Sequence, residues 1–300
     1  TGVQTCALPI LGGLPSQEAL DKAAAMVAVN VNDGFKKKEL LAQRNGRTIE
    51  EELKFFNSIA CDLSKQDYNK SPPKELCDDK VLFVCVNTYT NPKYHLGVGP
   101  LNDSITCAIN HIRRGYKVYF LHNSTPHVFL RWLRYILKNF KNTLSIFYTG
   151  HGASVKDTSG DEEDGMDEAM VFDTGIVLDD DLLKNLLSFA KNGKRILLLT
   201  DCCHSGSIWD LQSGSYMKLK LPPNIVSISA ARDNQTAKQT KMNQKDQGIF
   251  TYFFWKFLNE NPKILPKEIE KKMNENLSKY QQAIEITATS KGLLNKPIFE

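Results

Sequence analysis

The chain has 300 residues, of which 41% are hydrophobic and 24% are charged, a composition typical of a globular protein long enough to bury a core. Its 38 basic and 34 acidic residues give a formal net charge of +4, and the basic residues form only short runs, which does not indicate a nucleic-acid partner. No apolar run approaches the roughly 18 residues that span a bilayer, so we expect no membrane partner.

The first part of the chain predicts a helical extension. Residues 1–10 start without methionine and resemble translated sequencing-adapter sequence, so we expect them to be non-native. Residues 11–78 then predict an extension or the remnant of a prodomain, with helices at Gln17–Val29 and Thr48–Lys65. No basic leader precedes the first apolar residues, which argues against a signal peptide.

From Lys80 onward, strands and helices alternate. This alternation predicts an α/β fold, with a mainly parallel six-stranded sheet and helices on both faces. A long acidic loop is predicted between the third strand and the third helix. The predicted strands are Val81–Val86, Tyr116–Leu121, Leu144–Tyr148, Arg195–Leu199, Ile225–Ser229 and Ala283–Thr287, and the predicted helices are Leu101–Arg113, His127–Asn139, Asp180–Lys191, Ile249–Leu258 and Pro266–Lys279.

Two of these strands end in residues with catalytic chemistry. One apolar run ends at Gly150-His151-Gly152, and another ends at Asp201-Cys202-Cys203. Ligands and chemistry collect at the carboxyl ends of parallel strands, and a cysteine nucleophile needs a nearby base to become a thiolate. The alternative is that the cysteines are small buried hydrophobic residues and His151 a structural histidine. The paired occurrence favours a Cys203–His151 dyad.

The neighbouring residues suggest a substrate pocket. Side chains two apart on a strand share a face, so Asp201 falls with Cys203, and Thr149 falls with His151. Asp201 is either a carboxylate that attracts a cationic substrate side chain or a cap at the strand end, and spacing alone does not decide between them. The backbone amides of Gly152 and Cys203 are expected to hold an oxyanion.

The cysteines indicate the compartment. Seven are present, an odd number spread along the chain, which is not the pattern of a secreted disulfide framework. We therefore expect a reducing compartment, the cytoplasm, in which a thiol stays available for chemistry.

The acidic residues after the third predicted strand allow two interpretations. Asp161 to Glu168 holds many carboxylates, and three aspartates follow at 179–181. Composition alone favours a solvated loop, whereas a bound hard cation such as calcium would also relieve the repulsion between the carboxylates.

Three motifs in order resemble the signature of the metacaspases, calcium-dependent cysteine peptidases with a caspase-like fold. They are Tyr148-Thr149-Gly150-His151-Gly152, the acidic segment Gly160–Glu168, and Asp201-Cys202-Cys203-His204-Ser205-Gly206-Ser207. The resemblance spans about Val81 to Phe299. It implies that His151 and Cys203 form the dyad, and that the enzyme cleaves after arginine or lysine.

The resemblance also implies binding residues. Asp201 and Asp103 would line the pocket for the cationic side chain, with Thr149 in the place of the usual serine. Pro100 stands where a cysteine commonly precedes the Asn-Asp pair. The implied calcium ligands are Asp167, Asp179, Asp180 and Asp210.

The short connection at 211–224 resembles the type I arrangement. It divides the peptidase domain, 79–300, into a large-subunit-like part, 79–210, and a small-subunit-like part, 225–300. We expect a monomer that acts on proteins or peptides with Arg or Lys at the cleaved bond, with possible self-processing. The alternatives are a non-catalytic scaffold with this fold and a calcium-independent peptidase of the same specificity.

Overall fold

The computed structural model describes residues 4–5, 47–67, 79–156, 166–190, 194–202, 208–209, 211, 221–230, 239–242 and 245–299. Several sequence-based predictions lie outside these residues, among them the nucleophile Cys203, the calcium ligand Asp210, the helix at Gln17–Val29 and most of the connection at 211–224.

The described residues contain thirteen strands. In chain order they are β1 (Gln4–Thr5), β2 (Cys61–Asp62), β3 (Lys80–Val86), β4 (Lys117–His122), β5 (Thr143–Thr149), β6 (Gly152–Lys156), β7 (Met166–Phe172), β8 (Gly175–Leu178), β9 (Arg195–Asp201), β10 (Ile225–Ser229), β11 (Gln239–Met242), β12 (Lys245–Gly248) and β13 (Glu285–Ala288).

The main sheet has the spatial order β13-β10-β9-β5-β3-β4-β2. All neighbouring strands are parallel except β10 and β13, which are antiparallel. The sheet thus contains all six predicted strands, and β2 from the N-terminal extension adds a two-residue seventh strand at one edge. The predicted α/β architecture with a mainly parallel sheet is confirmed.

Six α-helices accompany the strands in the described part of the chain. They are α1 (Ile49–Ile59), α2 (Gly99–Ile112), α3 (Pro126–Asn139), α4 (Asp179–Phe189), α5 (Ile249–Glu260) and α6 (Pro266–Leu277). The predicted helix Thr48–Lys65 is too long. A capping box between Thr48 and Glu51 starts α1, but the chain turns to an extended conformation at Ala60 and continues as β2.

The core lies on both faces of the sheet. On β3, Leu82, Val84 and Val86 pack into the layer that also contains residues of α1, α2, α5 and α6. The alternate residues of β3 pack on the opposite face with residues of α3 and α4. This two-residue period explains why a continuous apolar run forms a central strand buried on both sides. No helix in the described ranges is long and apolar enough to cross a membrane.

The prediction of a long acidic loop between the third strand and the third helix is wrong for most of this segment. Its described residues form β6, β7 and β8 of a small sheet with the order β1-β6-β7-β8, in which all pairs are antiparallel. Asp167 and Glu168 lie within β7 and are each only 5% exposed. The composition suggested solvated carboxylates, but pairing of β7 with β6 places these residues in a strand. Residues 157–165 lie outside the described residues.

Candidate active site

The two strands that carry the predicted dyad lie side by side. β5 and β9 are parallel neighbours, and their last residues, Thr149 and Asp201, are direct register partners. The amide of Gly150 also donates to the carbonyl of Asp201, at 3.4 Å. His151 follows Thr149 by two residues and Cys203 follows Asp201 by two. The fold therefore brings the histidine and the end of the cysteine-bearing strand to the same place at the carboxyl edge of the sheet.

The hydrogen bonds of His151 fix its tautomer. Its side chain is buried, and Nε2 lies 2.7 Å from the carbonyl oxygen of Tyr94. A carbonyl oxygen only accepts, so Nε2 must carry a proton. In the neutral imidazole the lone pair is then on Nδ1, and this nitrogen is the available base. The carbonyl of Tyr94 thus fixes the orientation of the His151 ring.

The amide of Gly152, the first predicted oxyanion donor, is directed to the side of β6 on which β1 pairs, at Ala153 and Ser154. Gly152 pairs with Met170 of β7, and the preceding pair is hydrogen-bonded, with Val171 N donating to the His151 carbonyl at 3.1 Å. Hydrogen-bonded and non-hydrogen-bonded pairs alternate in antiparallel strands. The N–H of Gly152 therefore points away from β7. The second predicted donor, the amide of Cys203, lies outside the described residues.

The two predicted pocket aspartates come together across Gly248. The Gly248 amide, at the start of α5, lies 2.9 Å from each carboxylate oxygen of Asp103 on α2. A Cβ at Gly248 would lie 2.6 Å from an oxygen of Asp201 and 2.7 Å from an oxygen of Asp103. Both carboxylates are buried. Residues 98 positions apart in the chain thus form one acidic pair.

The environment of Asp201 controls its charge. Burial raises the pKa of its carboxyl to about 7, and a hydrogen bond from the Thr251 hydroxyl, at 3.3 Å, opposes this shift. An arriving cation would favour the ionised form.

Thr149 lies beside Asp201, on the neighbouring strand β5. Its side chain is fully buried, between Val86 on β3 and Asp201 on β9 in the register of the sheet. Its hydroxyl has no hydrogen-bond partner among the described residues.

Three predicted calcium ligands lie near one another. Asp179 begins α4, and its carboxylate accepts from the amides of Glu168 on β7, at 2.9 Å, and of Asp180, at 2.8 Å. Asp167 adjoins Glu168, and Asp180 is 3.7 Å from the amine of Lys184. Within the described ranges, however, no three Asp, Glu, His or Cys residues form a group that could hold a metal ion. The described residues thus supply at most part of a calcium site.

The sequence did not assign several residues that build the site: Tyr89, Tyr94, Gly248 and Thr251. In the sequence, Gly248 and Thr251 indicate only the start of an apolar helix. The role of Tyr94 depends on its backbone carbonyl, for which no residue type gives a signal.

Comparison with known proteins agrees with the fold and the motifs. A family model described as "Metacaspase, peptidase C14 domain" matches residues 83–212. Metacaspase-1 of Saccharomyces cerevisiae is 36% identical over 88 residues, which cover 27% of this chain and 20% of that protein. Metacaspase III c of Phaeodactylum tricornutum is 33% identical over 99 residues, covering 30% of this chain and 29% of that protein. The matched stretch thus spans less than a third of these relatives' lengths.

Solved structures share the fold at low sequence identity. Protein GSU0716 of Geobacter sulfurreducens has a TM-score of 0.56 at 22% identity, covering 73% of this chain and 98% of its own. Caspase-1 of Spodoptera frugiperda has a TM-score of 0.50 at 9% identity, covering 71% of this chain and 88% of its own. Residues 83–212 are therefore similar to the metacaspase, peptidase C14 domain, and the described residues have a caspase-like fold.

Proposed function

We propose that this chain is a cysteine endopeptidase that cleaves after arginine or lysine with His151 as base and Cys203 as nucleophile. The main support is the register of β5 and β9, in which Thr149 is the partner of Asp201. Parallel neighbouring strands lie about 4.8 Å apart. We therefore expect the residues two positions beyond these partners, His151 and Cys203, to reach a shared substrate.

In the proposed reaction, the base is Nδ1 of His151, the ring nitrogen that carries the lone pair. Nδ1 of His151 takes the proton of the Cys203 thiol, and the thiolate attacks the scissile carbonyl carbon. The tetrahedral oxyanion collapses, the C–N bond breaks, and the imidazolium gives its proton to the leaving amine. Water, deprotonated by His151, then attacks the thioester, which releases the acid and restores the thiol.

Different groups are proposed to bind the oxyanion and the substrate side chain. The N–H of Gly152, which points away from β7, and the amide of Cys203 are proposed to bind the oxyanion. The acidic pair, Asp103 with Asp201, is proposed to bind the cationic side chain next to the cleaved bond. Thr149, beside Asp201, is proposed to form a wall of this pocket.

Calcium dependence is also proposed, with Asp167, Asp179, Asp180 and Asp210 as ligands. Carboxylate oxygens are the donors that calcium prefers, and Asp179 is already held between β7 and α4 by two backbone amides. Asp210 or another oxygen ligand must complete the site. No catalytic step depends on the metal directly.

We further propose a monomeric type I arrangement, with self-processing in the 211–224 connection after Lys218 or Lys220, and a reducing compartment such as the cytoplasm. Cys85 and Cys107 are buried free thiols, which fits such a compartment.

A reporter-peptide assay tests the proposed function. The purified chain is incubated with matched peptides that carry Arg, Lys, Asp or Leu at the cleaved bond, with calcium or with chelator. We expect turnover of the Arg and Lys peptides only, lost in Cys203→Ala and in His151→Ala. Absence of turnover with calcium would favour the scaffold alternative, and equal activity in chelator would favour a calcium-independent peptidase.

A further inference from the structure

Tyr89 has a backbone conformation that bulky residues rarely adopt. Its φ of +64° lies in the left-handed region, which is unfavourable for residues with a Cβ and persists only where the surroundings enforce it. Here Asn123 enforces it, because its side-chain oxygen accepts from the amides of Thr88, at 2.8 Å, and Tyr89, at 3.0 Å. Such strain in a loop beside a catalytic site indicates that the side chain it directs has a use.

The hydroxyl of Tyr89 lies between two strands at the catalytic histidine. It accepts from the backbone N–H of His151, at 2.6 Å, and donates to the carbonyl of Val171, at 2.9 Å. In a regular antiparallel pair the His151 amide would donate to Val171 directly, and the phenol replaces that bond. Burial raises the pKa of this phenol, so it stays neutral and keeps the proton that it donates.

Space for this hydroxyl depends on Gly150. A Cβ at Gly150 would lie 2.7 Å from the Tyr89 hydroxyl oxygen and 3.1 Å from that of Tyr148. Tyr148 holds the other end of the His151 backbone, because its hydroxyl donates to the His151 carbonyl at 2.8 Å. The glycine before the histidine is therefore required by the two phenols that hold the histidine backbone.

The ring of Tyr89 also contacts the imidazole. The two ring centroids are 4.7 Å apart with an interplanar angle of 37°. The next part of the same loop supplies the Tyr94 carbonyl that binds Nε2. Tyr89 thus restrains both the backbone and the ring of His151.

We propose that Tyr89 is a positioning residue for catalysis, which holds His151 where its Nδ1 can take the proton of Cys203. The inference rests on the proposed dyad and adds the residue that keeps its base in place. A small displacement of a catalytic group lowers the rate strongly, by roughly 100-fold for 1 Å.

Tyr89→Phe is the direct test, because it removes the hydroxyl and keeps the ring. We expect kcat for an Arg reporter peptide to fall by about 10- to 100-fold with KM changed less than about twofold. We also expect the pH midpoint for alkylation of Cys203 by iodoacetamide to rise, since a displaced imidazole stabilises the thiolate less. Peptide mass spectrometry assigns the alkylation to Cys203.

Tyr116→Phe is the matched control, since it removes a buried tyrosine hydroxyl at the opposite end of the sheet. It should leave both kcat and the alkylation midpoint unchanged. If Tyr89→Phe does not fold, Asn123→Ala replaces it, because this change releases the Tyr89 backbone without touching His151, and the same two shifts are expected in smaller degree.

The result that would overturn the inference is a folded Tyr89→Phe enzyme with wild-type kcat and a wild-type alkylation profile. In a His151→Ala background, Tyr89→Phe should have no further effect on alkylation, and an additional effect would show that Tyr89 does not act through His151. The proposed function fails separately, if His151→Ala itself leaves the alkylation profile unchanged.

Discussion

Gly248→Ala is expected to damage the acidic pair selectively. The φ of −65° and ψ of 135° at Gly248 are allowed for alanine, so the effect is steric and not a backbone effect. The new methyl group would lie 2.6 and 2.7 Å from the two carboxylate oxygens, and each must retreat by roughly 0.7 Å to reach van der Waals distance.

Displacements of this size are costly for substrate positioning. We expect kcat/KM for Arg and Lys peptides to fall about 10- to 100-fold, which corresponds to about 1.4–2.7 kcal/mol. Alkylation of Cys203 should be unchanged, because the described atoms nearest to the new methyl group belong to Asp201 and Asp103.

The assay compares kcat/KM of the wild type, Gly248→Ala and the control Gly292→Ala. A Cβ at Gly292 meets only the Ser290 hydroxyl, at 3.7 Å, which is an ordinary contact. The control should keep full activity. The reasoning is refuted if folded Gly248→Ala cleaves Arg peptides at the wild-type rate.

Further predictions concern three buried residues, Asp201, Asp179 and Leu198. The raised pKa of Asp201 means that its carboxyl ionises as the pH rises through about 7, so KM for Arg peptides should fall between about pH 6 and pH 8. The folded state then holds a proton that the unfolded state has lost, so the free energy of unfolding should also decrease over the rise from about pH 4 to about pH 7. Asp201→Asn should remove both dependences. Asp179→Ala removes the acceptor of two amides and should lower the free energy of unfolding in urea by about 1–3 kcal/mol; the exposed Asp181→Ala is its control. Added calcium should raise the Tm of the wild type and not that of Asp179→Ala, and equal shifts would remove Asp179 as a ligand. Leu198→Ala, in the centre of β9, should cost about 2–5 kcal/mol in the same urea experiment; a loss below about 1 kcal/mol would contradict its place in the core.

The central sheet was predictable because its strands are continuous apolar runs. Leu144 to Tyr148 and Ile196 to Leu199 are buried on both faces, and this burial leaves a clear signal in the sequence. The polar residues just after these runs then gave the location of the site. Their adjacency in the sheet depends on strand order, which the sequence suggested only through the paired motifs and which the β5–β9 register confirms.

The small antiparallel sheet and the supporting contacts were not predictable in this way. Asp167 and Glu168 are acidic residues of the kind common in loops. What places them in β7 is pairing with β6 and the hydrogen bond from the Glu168 amide to the Asp179 carboxylate. Tyr89 precedes His151 by 62 positions, and nothing local marks its hydroxyl as part of the site. The strand β7 and the position of the Tyr89 hydroxyl both depend on contacts between separate segments, which local residue patterns do not predict.

Labelling with an active-site-directed probe tests the central claim most directly. A peptide that ends in an arginine acyloxymethyl ketone should alkylate one cysteine of the seven, and peptide mass spectrometry identifies it. We predict modification of Cys203 in the wild type and a large loss of labelling in His151→Ala. Labelling of another cysteine, or of Cys203 at equal rates in both proteins, would contradict a dyad built from the ends of β5 and β9.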